Sequence, residues 1–577
     1  MPAEKPPAIE GSYDIYPVYN IGNGKIFRGL AGLVEIMSKE SIILLDGYVG
    51  VFFDVIREQL DSVFLNDYGI SPIWVSTRSF QPDEEEVYRK IEPFLGADDP
   101  LFGSRARLRL SDFYSIDMFR SSFRWDRGQP LIIYGPGAAL FHDNGFLVYF
   151  DLPKNELHYR TRAGKVLNLG ASSPDDPGLM YKRFYFVDWV VLNNHKESIL
   201  DRIDILADSQ RRDDITWITG VDFRNSLHRM TGSAIRARPW FEPGVWGGNW
   251  IMDNIKGVNR NVPNYAWSYE LITPENGLIL ESSGLLLEFS FDFLMYYSPE
   301  AVLGDCHSRY GNDFPIRFDF LDTFNGGNLS IQVHPTPDYI KENFGESFTQ
   351  EESYYILDSK EGSGVYLGLR ENSDRIMLES LLEESRRTGK ALNIEEIVQF
   401  HLSGKHDLFL IPYGTIHGSG SNNLVLEIST TPYIFTFKLY DWVRPDLNGK
   451  PRALNVKRGI DNLSFSMKGT SVPDELIKLP ELLESGKDWQ LYSLPTHPTH
   501  SFGVYRYVFQ SFLKIFTKNK LHVLNLTGGS SIKVKTLNGE VRIINYAETF
   551  VIPAAAYSYE VYNRSDQTAV LIVAFIR

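Results

Sequence analysis

Two donor side chains alternate along one short apolar run. In Leu-Ser-Ile-Gln-Val-His-Pro at 329–335, strand alternation sends Gln332 and His334 to one face and Ile331 and Val333 to the other. Downstream, Glu351-Glu352 opens the run Ser-Tyr-Tyr-Ile-Leu, and His417 follows Ile-Pro-Tyr-Gly-Thr-Ile at 411–416, so each is a polar donor at the edge of an apolar strand. A borderline divalent ion such as zinc takes imidazole nitrogen and carboxylate oxygen and can keep one position open for water or substrate. A glutamine, two histidines and a glutamate could together form such an open site. Spacing alone does not single it out, because a lone strand histidine is more often a hydrogen-bonded core residue.

The order of these segments adds weight. Together with Glu-Ser-Tyr-Tyr-Ile-Leu at 352–357 and Leu-Tyr-Asp-Trp-Val-Arg at 439–444 followed by Gly449-Lys450-Pro451-Arg452, they resemble type I mannose-6-phosphate isomerase, a zinc enzyme of the cupin class. The resemblance runs over residues 240–577, from Trp246-Gly247-Gly248 to Phe550-Val551-Ile552-Pro553-Ala554. It implies that Gln332, His334, Glu352 and His417 are the ligands of one zinc ion, with no organic cofactor. It also implies an aldose-ketose isomerase that interconverts mannose 6-phosphate, or a related sugar phosphate, with its ketose through an enediol. Lys438 and Arg444 then fall in catalytic positions, and Arg317, Lys450 and Arg452 are candidate substrate contacts. The chain departs from the family at several basic positions. Asp319 stands where a lysine is usual, Gln350 replaces another lysine, Lys438 replaces an arginine and Asn455 a histidine. The ion pocket is therefore kept better than the anion pocket. Each lost phosphate contact in a partly desolvated site costs about 1.5–3 kcal/mol.

The elements that must carry these residues change in texture near residue 240. Before it, buried-strand runs such as Ser41-Ile42-Ile43-Leu44-Leu45 alternate with helical spacing from Val51 to Phe64, which predicts a mainly parallel α/β sheet. Asp46-Gly47-Tyr48-Val49-Gly50 sits where a phosphate-binding loop would, between a strand and a helix. Neither glycine register supplies the required lysine: one puts Phe53 and Asp54 there, the other Val51 and Phe52. With Tyr134-Gly135-Pro136-Gly137 and the basic stretch 160–165, this half loosely resembles nucleoside kinases, and a structural turn is expected rather than an active nucleotide site. After residue 240 short strands dominate. The expected fold class is multidomain: a P-loop-like parallel α/β domain over 1–210, a linker over 211–240, and a double cupin barrel. The barrels are a metal-binding one over 241–375 and 403–470, with a helical insert over 376–402, and a terminal cupin-like one over 471–577.

Composition narrows the partners. The 577 residues carry 58 basic and 73 acidic side chains, a formal charge of -15, which repels nucleic acid and anionic membranes. No run approaches the length of a membrane span, and the single cysteine, Cys306, cannot form an internal disulfide. With no export-signal pattern at Met1–Glu10, a cytoplasmic setting is expected, and the oligomeric state stays open. A sugar- or nucleotide-sensing protein on a retired enzyme scaffold is the alternative to an isomerase, motivated by Asp319, Gln350 and Phe53. An active kinase is a third option.

Overall fold

The computed structural model describes every residue except 8, 10, 98, 126 and 127, and it divides into two units. The first comprises mainly Tyr16–Met230 with Pro274–Ser298, the second mainly Thr231–Thr273 with Pro299–Arg577.

The first unit is built on a seven-stranded sheet: β1 (Ile26–Arg28), β2 (Ile42–Gly47), β3 (Ile73–Ser76), β4 (Leu131–Tyr134), β5 (Phe146–Asp151), β6 (Ile205–Asp208) and β7 (Thr216–Thr219). Their spatial order is β1-β7-β6-β5-β2-β4-β3. The five strands from β3 to β6 run parallel, and β7 and β1 close one side antiparallel. Ile43, Leu44 and Leu45 are all fully buried, as in a strand covered on both faces. The helix Phe53–Tyr68 buries Phe53, Ile56, Leu60 and Phe64 on one stripe against Ile43, Leu45, Ile132 and Val148, worth ~1.5–3 kcal/mol per side chain. It ends at Gly69, whose φ of 65° is the left-handed cap that glycine adopts without strain. Segment 211–240 was expected to be a linker, but it carries β7 and the helix Gly220–Met230 within this unit. Its charges are paired locally, Arg211 with Asp208 and Asp214, which explains why it reads as a polar connection.

The strand-turn-helix at Gly47 is present without a phosphate cradle. The Gly47 amide is bound by the Asp46 carboxylate, that of Tyr48 by the Phe150 carbonyl, that of Val51 by the Tyr48 carbonyl and that of Phe53 by the Val51 carbonyl. Those four NH groups are already bound within the chain, so they do not converge on a triphosphate.

The second unit begins with two antiparallel sheets. One contains β8 (Trp240–Glu242), β9 (Trp267–Leu271), β10 (Ile316–Asp322), β12 (Glu352–Ser359), β15 (Leu408–Ile411) and β17 (Asn423–Thr430), in the order β15-β12-β17-β10-β9-β8. The other contains β11 (Ile331–Val333), β13 (Gly364–Leu369), β14 (Val398–Leu402), β16 (His417–Ser419) and β18 (Phe437–Tyr440), in the order β14-β13-β16-β11-β18. The expected insert 376–402 is only partly helical, because the helix Arg375–Thr388 is followed by β14, which pairs with β13. At the end of the chain, a six-stranded and a four-stranded sheet share one core that includes Leu524, Phe550 and Val573 from the first and Ile515, Val534 and Val561 from the second. The expected closed barrels are corrected here. Among the described residues every sheet of this unit has two free edges, so it is built of open sheets joined by side-chain packing rather than by a continuous ring of strand hydrogen bonds.

Candidate metal centre

Cross-strand register brings the chemistry together. On β11, Gln332 pairs with His417 of β16 on one side and with Lys438 of β18 on the other, which puts three polar side chains in one row. From the facing sheet, Glu352 of β12 pairs with Ser429 of β17, which pairs with Arg317 of β10. The adjacent row on the same face holds Tyr354, Glu427 and Asp319. His334 follows β11 directly.

His334, Glu352 and His417 meet at one point, each offering one ligand atom within 4.8 Å of the others, and all three are buried. His334 Nε2 lies 3.0 Å from Glu352 Oε1, and His417 Nε2 lies 3.3 Å from Glu352 Oε2. Each imidazole donates its Nδ1–H to a backbone carbonyl, His334 to Phe435 at 3.1 Å and His417 to Thr415 at 2.8 Å. That fixes both rings with Nε2 aimed at the carboxylate, the outer-shell pattern of metal-binding histidines. Gln332 Nε2 is 3.3 Å from His417 Nε2, so its amide borders the cluster, with the carbonyl oxygen as its ligand-type atom.

Electrostatics at this point call for positive charge. Burial opposes ionisation of Glu352, yet the two imidazoles outweigh it and hold the carboxyl well below its usual range. Burial also works against charge on His334, and Glu352 overcomes it and raises the imidazole, whereas His417, equally enclosed, goes down. His334 Nε2 and Glu352 Oε2 are buried and make no protein hydrogen bond. An imidazole nitrogen and a carboxylate oxygen without hydrogen-bond partners, beside a second imidazole nitrogen, are a donor set that suits a borderline divalent cation, so these residues fit a metal ion.

Around the cluster the remaining sequence-derived candidates separate into two groups. Arg317 is buried among acids, 2.5 Å from Glu427 Oε1, 3.1 Å from Asp319 Oδ2 and 3.9 Å from Glu352 Oε1. Burial lifts Glu427 to about 7 and Asp319 well above its ordinary value, because one guanidinium serves several carboxylates. Gln350, at a usual lysine position, donates its side-chain amide to Glu352. The second group gathers on Asp441: Arg444 Nη2 at 2.7 Å, Arg452 through Nη1, and Ser330 Oγ at 2.9 Å. Lys438 borders this group, and burial followed by repulsion from Arg452 pushes its ammonium down to about 8. Lys450 is not drawn in, since it sits exposed on the turn where its amide binds Asp446. Sequence reasoning missed Glu427 and Tyr354. Their polar positions inside the apolar run Leu424–Ile428 and the aromatic pair Tyr354-Tyr355 were the available signal, and only the register shows them facing Glu352.

Comparisons with known proteins add a family context. A family described as "Domain of unknown function (DUF8485)" matches residues 29–232. The chain is 25% identical over 232 residues to mannose-6-phosphate isomerase ManA of Bacillus subtilis, covering 40% of this chain and 68% of the relative. It is 26% identical over 231 residues to mannose-6-phosphate isomerase of Streptococcus mutans, covering 40% and 67% respectively. Among solved structures, the mannose 6-phosphate isomerase of Bacillus subtilis aligns with a TM-score of 0.48 at 21% identity, covering 60% of this chain and 100% of that one. A putative mannosephosphate isomerase of Archaeoglobus fulgidus gives 0.45 at 16% identity, covering 60% and 98%. The chain is thus homologous to mannose-6-phosphate isomerases over about 40% of its length.

Proposed function

We propose that the second unit is a zinc-dependent aldose-ketose isomerase acting on a sugar phosphate of the mannose 6-phosphate class. The observation that carries this reading is the buried His334–Glu352–His417 cluster, with both rings held by backbone carbonyls so that their Nε2 atoms face one carboxylate. Homology to enzymes named as isomerases supports it. Gln332, His334, Glu352 and His417 would hold the ion, which when bound supplies polarisation of the sugar's carbonyl and neighbouring hydroxyl oxygens.

The chain's own residues do the rest. An isomerisation moves one proton between adjacent carbons and one between adjacent oxygens, so a group that exchanges protons near neutral pH is needed. Lys438, pushed down to about 8 and in the row of Gln332 and His417, suits proton transfer at a substrate oxygen. Arg444 and Arg452 bring two positive charges to the single carboxylate of Asp441, which leaves net attraction for a phosphate. Arg317, held by Glu427 and Asp319, meets sugar hydroxyls as part of that network, and Lys450 reaches a phosphate only from the exposed rim.

The test pairs metal analysis of the purified chain with a coupled assay across hexose and pentose phosphates. Turnover of mannose 6-phosphate or a related ester, abolished by chelation and restored by zinc, is expected. Metal-loaded protein that turns over none of them rejects the proposal.

A further inference from the structure

The first unit contains a cavity that the chemistry above does not use. It has a volume of about 360 Å³ and opens at the carboxyl ends of β2, β3 and β4, lined by the loop 48–52, by Ser76 to Arg78, by Tyr134 to Pro136 and by 165–171. The strand order makes this a topological switch point: the chain leaves β2 toward β3 on one side of the sheet, and leaves β4 toward β5 on the other. In open parallel sheets, ligands bind in the crevice where such connections diverge. The volume falls in the range of small-molecule sites.

Three walls of the cavity are held by buried charges. Asp46, fully buried, accepts from the amides of Gly137 and Ala139 and from His195 Nε2, which fixes the loop after β4. Arg160 donates to the carbonyls of Gly50, Ser209 and Gln210 and packs 4.2 Å from the Phe52 ring, which fixes the loop after β2. Asp188, carried on the π-helical turn Phe184–Asp188, accepts from the Asn168 side chain at 2.7 Å and from the Leu169 amide at 3.2 Å, which fixes the third wall. A π-turn interrupting a helix is costly and recurs at functional sites. Burying three charges to hold three loops is the support that a preformed site needs.

The lining has a definite chemistry. Arg78 and Lys165 are exposed cations on it, and Lys165 makes no ion pair among the described residues. The lining includes one carboxylate, Asp54, so the lining itself carries net positive charge in a chain whose formal charge is -15. Phe52 and Tyr134 supply half-buried ring surface, and Ser76 and Thr77 supply hydroxyls. The amides of Gly47, Tyr48, Val51 and Phe53 are already bound within the chain, which argues against a polyphosphate cradle there. We propose that this cavity binds a small organic phosphate monoester, its phosphate drawn to Arg78 and Lys165 and its body resting on Phe52 and Tyr134.

Calorimetric titration of the full chain with AMP, with glucose 6-phosphate and with their dephosphorylated counterparts tests this. At least one ester should bind, with affinity lowered tenfold or more by removing its phosphate and by the double substitution Arg78→Ala, Lys165→Ala. Both side chains are exposed, and an unchanged thermal midpoint will show that the double variant folds. The variant His417→Ala, which disables the metal cluster of the other unit, should retain the binding, which separates the cavity from the isomerase chemistry. Preference for AMP assigns the body to a planar ring, and preference for glucose 6-phosphate to a polyol. Binding of neither ester, or binding that the double variant leaves intact, overturns the proposal.

Discussion

At the scale of single residues, the metal cluster depends on orientation more than on count. The carbonyls of Phe435 and Thr415 each take an Nδ1–H, which leaves both Nε2 atoms for a cation. His334→Ala or His417→Ala is expected to lower metal affinity by about a hundredfold or more, an outer-shell loss alone being worth about 10–100-fold. Metal analysis after dialysis, alongside the isomerase assay, checks it, and a fully loaded His417→Ala protein would contradict the cluster. Lys438→Gln keeps a hydrogen-bond donor on a slightly shorter side chain but loses the titrating ammonium. If Lys438 transfers a proton, turnover should fall by about 10²–10⁴-fold with metal content unchanged. A variant retaining wild-type turnover would remove Lys438 from the chemistry.

At the scale of elements, the first unit relies on Asp46 at the carboxyl end of β2. Its two oxygens accept from three backbone amides and one imidazole: those of Gly47, Gly137 and Ala139, and that of His195. Removing the carboxylate strands these buried donors. Asp46→Ala should destabilise this unit by about 3–5 kcal/mol, read as a lowered urea midpoint. An unchanged midpoint would mean that the loop after β4 is held by its other contacts. The strand-turn-helix itself was legible from the run Ile42–Leu45 and the helical spacing after it. The engagement of its amides was not, because it depends on the fold of the turn and, for Tyr48, on the approach of Phe150 from β5.

At the scale of the whole molecule, buried histidines couple folding to acidity. Burial, then His497 and Arg577, push His500 down to about 3, and burial with Lys520 and Lys518 does the same to His522. Both stay neutral when folded, while the unfolded chain protonates them below about 6.5. At these two groups the unfolded state then binds more protons, so their contribution to stability is level above pH 6.5 and falls as pH drops toward 3, opposite in sign to that of the raised carboxyls of Glu427 and Asp319. Each histidine contributes a slope of about 1.4 kcal/mol per pH unit in that window. Denaturant midpoints measured from pH 7 to 4 should fall less steeply, or rise more steeply, in His522→Gln than in the unaltered chain. An equal slope in that variant would show that His522 is not the linked group.

Local pattern by itself determined much of this protein. Period-two alternation put Gln332 and His334 on one face, and continuous apolar runs marked the parallel strands before residue 240. These depend only on backbone geometry and on side chains a few positions apart. Tertiary structure alone decided that Glu352 from one sheet meets His334 and His417 from the other, that Arg317 is balanced by Glu427, and that Lys450 stays outside. It also decided that the sheets remain open. Such outcomes depend on strand register and sheet packing, where a shift of one residue would turn every side chain to the opposite face.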